Sequence, residues 1–314
     1  MTRAFVFPGQ GAQTIGMGRA LAEAYPAARA VFDEVDAALD EKLSTLIWEG
    51  EQEELTLTRN AQPALMATSL AAMRALEAEG VTIEAAAYVA GHSLGEYSAL
   101  AAAGALSVSD AARLLRARGQ AMQEAVPVGQ GAMAALLGLD LETVRKLAKR
   151  AAHDTGKTCE AANDNDPGQV VISGDAAAVT HAVELAQEAG AKRAVMLPVS
   201  APFHCALMAP AARVMAGALD DVTIERPRVP LVANVLAHDA SQPATIRSLL
   251  VEQVTHSVRW RESVQWMIGH GVTEFWEIGA GKALSGMIRR IDRSAATRTI
   301  GTPEDVKAAV ESLK

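Results

Sequence analysis

Cysteine is scarce in this chain: two of 314 residues, Cys159 and Cys205. Two cysteines build no disulfide framework, and they show no metal-ligand spacing. A reducing compartment is the natural expectation. Apolar runs of about 18 residues, the length that spans a bilayer, are also missing. Half of the residues are nonetheless hydrophobic, and the mean hydropathy of +0.11 comes mostly from alanine. The first residues, Met1-Thr2-Arg3-Ala4-Phe5, hold no signal-peptide h-region, so a cytoplasmic protein that avoids the membrane is expected. Basic residues are outnumbered, 29 against 37 acidic, for a net charge of −8. That balance argues against general nucleic-acid binding but leaves room for a local basic patch facing an acidic partner. No repeat period or low-complexity tract stands out.

What is present is an alternation of apolar strands with helices, in a chain long enough for one large core and a smaller one. Residues 3–7 read as a strand running into Pro8-Gly9-Gln10-Gly11-Ala12-Gln13, with a helix from Gly18. Residues 63–79 read as a helix with Pro63 at its entry. Residues 109–124 read as another, broken by Pro127 and Gly129. Further on, 228–233 and 272–278 are strand candidates and 247–255 and 261–269 helix candidates. Gly279-Ala280-Gly281 precedes one more helix. This alternation implies a mainly parallel, helix-covered sheet, an α/β fold.

Between 129 and 198 the pattern changes. Residues 132–139 read as a strand, and 140–152 as a helix capped by Asp140. Two strands, 158–162 and 169–173, are joined by the turn-rich Asn163-Asp164-Asn165-Asp166-Pro167-Gly168. A helix over 175–189 stops at Gly190, and a strand over 192–199 follows. The order βαββαβ is the ferredoxin-like signature. The expected division is a large α/β part, 1–128 and 199–314, resuming near Ser200, with 129–198 as a ferredoxin-like insert.

The pentapeptide Gly91-His92-Ser93-Leu94-Gly95 lies between the apolar run Ala85-Ala86-Ala87-Tyr88-Val89-Ala90 and an Ala/Leu-rich stretch over 99–106. Strand, sharp turn and helix place the serine hydroxyl at the carboxyl end of the strand. The N–H groups at the helix start point at an oxygen attached there. A Cβ at 91 or 95 would crowd so tight a turn. The pattern points to acyl transfer through a serine, with a plain turn as the alternative. His92 is a poor candidate for the base, because neighbouring side chains diverge. Among the seven histidines, His153 and His181 fall on insert helices, His238 and His270 in polar or turn contexts, and His256 after a helix end. His204 follows the return strand from the insert, where a base belongs; a satisfied structural histidine is the alternative. Cys205 beside it reads as a small buried hydrophobe. No acidic residue between 93 and 204 stands at a strand end of the large part. That counts against an ordinary hydrolase triad, and a backbone carbonyl or an amide side chain could orient the imidazole instead.

Arg118 shares a helical face with Ala111, Leu114, Leu115, Ala121 and Met122. A buried-face arginine needs an anion. Either an internal salt bridge supplies it, or a ligand carboxylate that guanidinium grips bidentately. The loop 8–13 lacks a phosphate-binding pattern; it offers either a second N–H to an oxyanion or a simple turn.

These pieces together resemble the malonyl-CoA:acyl-carrier-protein transacylases of bacterial fatty-acid synthesis. The likeness rests on Phe7 to Gln13, Gly91-His92-Ser93-Leu94-Gly95-Glu96-Tyr97, Arg118-Gly119-Gln120-Ala121-Met122-Gln123 and Ala161-Ala162-Asn163. It continues with the run from Pro167 to Gly174, Ser200-Ala201-Pro202-Phe203-His204 and Gly279-Ala280-Gly281-Lys282, and so covers nearly the whole chain. Ala280 stands where the family usually has proline. The resemblance implies a hydrolase-like core with a ferredoxin-like insert, and a ping-pong transfer of malonyl from malonyl-CoA to the phosphopantetheine thiol of holo acyl carrier protein. It implies Ser93 as the acylated nucleophile and His204 as its base. The N–H groups of Gln10 and Leu94 would form the oxyanion hole, and Arg118 would bind the malonyl carboxylate. The main-chain carbonyl of Gln253 would orient the imidazole, and Phe203 would leave little room for an α-methyl group. No bound cofactor or metal is implied, and a monomer is expected. Carrier proteins of this pathway are acidic, so docking would use a basic patch, with Lys192-Arg193 or Arg289-Arg290 and Arg293 as candidates unless these are merely solvated ends. Other classes remain open: a thioester hydrolase, a non-catalytic carrier-docking module, or a related transferase of malonate decarboxylation or polyketide synthesis.

Overall fold

The computed structural model describes residues 2–199 and 201–313. Its strands are β1 (Arg3–Phe7), β2 (Tyr88–Gly91), β3 (Gly131–Leu137), β4 (Cys159–Asp166), β5 (Gln169–Asp175), β6 (Arg193–Met196), β7 (Leu231–Val232), β8 (Asp239–Ala240), β9 (Glu274–Ile278) and β10 (Ala296–Ile300). Six of them form one sheet in the order β10-β9-β1-β2-β7-β8. All neighbours in it run parallel except the edge strand β8.

Strand β1 sits in the middle of that sheet and is apolar on both faces, as a doubly covered parallel strand must be. Side chains alternate, so Phe5 and Phe7 join one core while Ala4 and Val6 join another. The first core is closed by helices Thr58–Ala78, Gly95–Ala102 and Val108–Glu124, the second by Trp260–Gly269 and Ala283–Ile291. Among the described residues no helix is long and apolar enough to cross a membrane.

The helix expected over 63–79 begins at Thr58, and Pro63 lies inside it. Proline removes one i→i−4 bond there; the helix is buried on nearly every face, and tertiary packing holds it. Helix Val108–Glu124 crosses its first turn at Gly119, where a Cβ would stand 2.6 Å from the Thr58 carbonyl oxygen. That close crossing places Arg118 against Gln62.

The second sheet, order β4-β5-β3-β6, is antiparallel throughout. Helices Leu141–Thr155 and Ala176–Glu188 pack on it around a separate apolar core. Asp140 caps the first of these, its carboxylate accepting from the Thr143 N–H. The element order is βαββαβ, but the turn expected over 163–168 is mostly strand. β4 continues to Asp166 through two register shifts. There Asp164 N–H donates to Val258 O at 3.0 Å, and Val258 N–H to Ala162 O at 2.9 Å. Asp164 pairs with Arg261 and Asp166 with Arg290, both carboxylates almost fully buried. These ion pairs and bonds tie the small sheet to residue Val258 and to helices Trp260–Gly269 and Ala283–Ile291, and they override the turn preference of Asn and Asp. Strand β6 is shorter than expected, and Ser200 lies outside the described residues.

Candidate active site

β2 ends at Gly91, and the next helix starts at Gly95. Between them Ser93 takes φ 53°, the left-handed region that costs a non-glycine residue about 1–3 kcal/mol. Both glycines are required by space. A Cβ on Gly91 would lie 1.9 Å from the Gly95 backbone, and one on Gly95 would lie 2.2 Å from Phe7 O. Asn234, fully buried just past β7, holds the strained turn. Its Oδ1 accepts from Ser93 N–H at 2.8 Å, and its Nδ2 donates to Gly91 O at 2.6 Å. Gln253 Nε2 adds a bond to Ser93 O at 3.0 Å.

His204, also at positive φ, places Nε2 at 2.8 Å from Ser93 Oγ. Its Nδ1 lies 2.9 Å from the Gln253 main-chain oxygen. A carbonyl oxygen only accepts, so Nδ1 carries the proton. Burial, and then the Arg118 charge, push the imidazole pKa down to about 3. The ring is therefore neutral, and the Nε2 lone pair faces the serine hydroxyl.

Arg118 is 1% exposed. Its Nη1 donates to Gln62 Oε1 at 2.8 Å; its Nη2 donates to Gln253 Oε1 at 2.8 Å and to Ser93 Oγ at 3.1 Å. The guanidinium lies over the Tyr97 ring, 5.7 Å from its centroid. No carboxylate makes an ion pair with it among the described residues; its acceptors are two amides and the serine hydroxyl. A cation that cannot deprotonate is thus buried beside the serine without a counter-charge in contact. Above these groups opens a cavity of about 410 Å³, its wall including Gln10, Leu94, Met122, Met133 and Phe203.

The acyl transferase domain family matches residues 4–302. The malonyl CoA-acyl carrier protein transacylase of Bacillus subtilis (strain 168) is 50% identical over 311 residues, covering 99% of this chain and 97% of its own. The chain belongs to the malonyl CoA-acyl carrier protein transacylase family, and it is an acyltransferase. Among solved structures, the acyl-carrier-protein S-malonyltransferase of Bartonella henselae superposes with a TM-score of 0.97 at 56% identity, covering all of this chain and 99% of its own. A malonyl-transacylase solved in complex with a type II polyketide acyl-carrier protein superposes at 0.96 with 41% identity, covering 99% of this chain and all of its own.

In this transacylase fold the structure brings together Ser93, His204, Arg118 and Gln253 within direct hydrogen-bond reach. Gln10 and Leu94 stand on the cavity wall, and the Gln10 amide donates to Thr58 Oγ1 at 3.3 Å. Phe203, beside the base, closes another part of the wall. His92 diverges from the serine: its Nε2 lies 2.9 Å from Asn165 Oδ1 on β4. Cys205 donates to Pro202 O, and burial pushes its thiol pKa up to about 11. Sequence reading missed Asn234, Gln62 and Glu96 as parts of this site. Asn234 carried one signal, its position just past a strand candidate, where open α/β sheets place functional residues. Glu96 lies inside the serine motif, but nothing in the sequence says that its carboxyl is buried.

Proposed function

We propose that this transacylase moves the malonyl group of malonyl-CoA to the phosphopantetheine thiol of holo acyl carrier protein, through a malonyl-Ser93 intermediate. The observation that carries the reading is Arg118, a buried cation with no carboxylate partner among the described residues, bonded to the same serine oxygen that His204 faces. The names of the relatives, and the solved complex of one of them with a carrier protein, support the donor and the acceptor. Ser93 Oγ attacks the thioester carbonyl while its proton passes to His204 Nε2. The developing oxyanion rests on the N–H groups of Gln10 and Leu94, each worth about 3 kcal/mol. The C–S bond breaks, and the imidazolium returns the proton to the departing CoA sulfur. In the second half the carrier thiol gives its proton to Nε2, sulfur attacks the acyl carbon, and Ser93 leaves with that proton.

The Gln253 carbonyl keeps the base in the Nδ1–H tautomer, the role an acidic residue has in a hydrolase triad. Arg118 grips the malonyl carboxylate. An acetyl group leaves the guanidinium unpaired, which sets the preference. Once the carboxylate neutralises Arg118, the charge that depresses His204 is offset and the base strengthens. Phe203 disfavours branched acyl groups by filling the space an α-methyl would need. No metal or bound cofactor enters these steps. The chain is read as a cytoplasmic monomer of two subdomains, 1–128 with 199–314 and 129–198. For the acidic carrier, Arg290 already pairs with Asp166, so Lys192-Arg193 is the stronger docking candidate.

The test is incubation with malonyl-CoA, with and without holo carrier protein, following CoA release and the carrier mass. Malonylated carrier, with CoA release beyond one equivalent only when carrier is present, supports the reading. Continuous CoA release without carrier identifies a hydrolase, and no release at all a docking module.

A further inference from the structure

Glu96, in the first turn of helix Gly95–Ala102, is a buried carboxyl group that none of the proposed steps uses; it is 1% exposed. Its Oε2 accepts from Gln253 Nε2 at 2.7 Å and from Asn234 N–H at 3.2 Å. The other end of that same amide, Gln253 Oε1, accepts from Arg118 Nη2 at 2.8 Å. Glu96 therefore reaches the guanidinium through a single amide. We propose that Glu96 is a positioning residue for the carboxylate grip, fixing the Gln253 amide with its oxygen toward Arg118.

The two ends of a glutamine amide are nearly isosteric, and only their partners choose the orientation. Arg118 donates and never accepts, so it must face Oε1. Glu96 Oε2 receives two N–H groups, so it acts as an acceptor and must face Nε2. The flipped amide would set N–H against guanidinium and oxygen against oxygen, leaving buried groups unpaired on both sides. Burial pushes the Glu96 carboxyl up to about 7, opposed by its bonds from Gln253 and Asn234 and by the Arg118 charge. Any proton it takes up goes to Oε1, since Oε2 is occupied by donors, and the orienting contact holds in both states. Glu96→Gln weakens this selection: its own amide can face either end of Gln253, and only the Ser93 O and Arg118 contacts still fix the orientation.

The inference rests on Arg118 gripping the acyl carboxylate, and the test separates the two. Initial rates of Ser93 acylation from malonyl-CoA and from acetyl-CoA are measured by intact mass for wild type, E96Q, Q253A and the double variant, with thermal midpoints to establish folding. E96Q is expected to lower the malonyl-to-acetyl rate ratio about tenfold, the scale of one charged hydrogen bond. Q253A keeps the main-chain carbonyl and should lower the ratio by the same factor, which keeps the test alive should E96Q not fold. The double variant should match Q253A, because Glu96 then has no amide to orient. An unchanged ratio in either single variant overturns the proposal. So does a double variant whose ratio falls by the product of the single factors. A wild-type protein that takes acetyl as readily as malonyl overturns the grip at Arg118, and this inference with it; a wild-type preference that survives E96Q overturns this inference alone.

Discussion

Replacing Arg118 with alanine isolates the grip on the acyl group. The guanidinium presents Nη1 and Nη2 beside the serine, both held by neutral amide oxygens that a carboxylate outcompetes. Two charge-assisted hydrogen bonds to the malonyl carboxylate contribute about 1.5–3 kcal/mol each. Their loss slows Ser93 malonylation by about 10² to 10⁴, at 1.36 kcal/mol per decade. Acetylation should respond the other way. Arg118 is the second cause, after burial, of the low His204 pKa, and removing it strengthens the base. The variant also leaves Gln62 Oε1 and Gln253 Oε1 without their donor, about 1–3 kcal/mol apiece, partly offset by the loss of a buried charge. Rapid mixing with malonyl-CoA or acetyl-CoA, quenched and read by intact mass, gives both rates. Equal losses for the two donors, or an unchanged preference, would refute the carboxylate grip.

Gly95→Ala should destabilise the fold by about 3 kcal/mol or more, because its Cβ meets the Phe7 carbonyl oxygen at 2.2 Å; a urea midpoint equal to wild type would show that the turn has slack. His204 has its folded pKa depressed to about 3, so its contribution to stability is present above the unfolded value near 6.5 and drains as pH falls toward 3. Wild type should therefore lose stability relative to His204→Gln between pH 7.5 and pH 4.5, and a gap independent of pH would contradict a buried neutral imidazole. Burial pushes the Cys159 and Cys205 thiols up to about 12 and about 11. A thiol reagent at pH 8 should label neither in the native protein and both after unfolding; rapid native labelling of either would contradict their burial.

Much of the large sheet was legible because it is written in local terms. β1 needed only an apolar run followed by glycines, and helix Val108–Glu124 only its period. The serine turn was legible because two glycines are the residues that fit so close a backbone approach. Arg118 announced itself by helical phase, although phase alone left an internal ion pair open. Residues Asn163–Asp166 misled, since Arg261 and Arg290, supplied from distant helices, hold turn-forming residues in a strand. Pro63 misled for the same kind of reason: helix packing overrides the boundary that proline marks. Helices Pro26–Leu39 and Ala209–Asp220 went unread. The acid missing between Ser93 and His204 has its counterpart in a main-chain carbonyl, which every residue carries, so only the family resemblance pointed to Gln253. Glu96, Asn234 and Gln62 join the site from separate elements, through contacts that only the folded chain creates.

The most direct measurement is a single mixing of the pure protein with malonyl-CoA alone, followed by intact mass and peptide mapping. One malonyl group per chain, located on Ser93 and absent from Ser93→Ala, is the result expected. An adduct that survives Ser93→Ala, or CoA released continuously with no adduct on the chain, would contradict transfer through the serine.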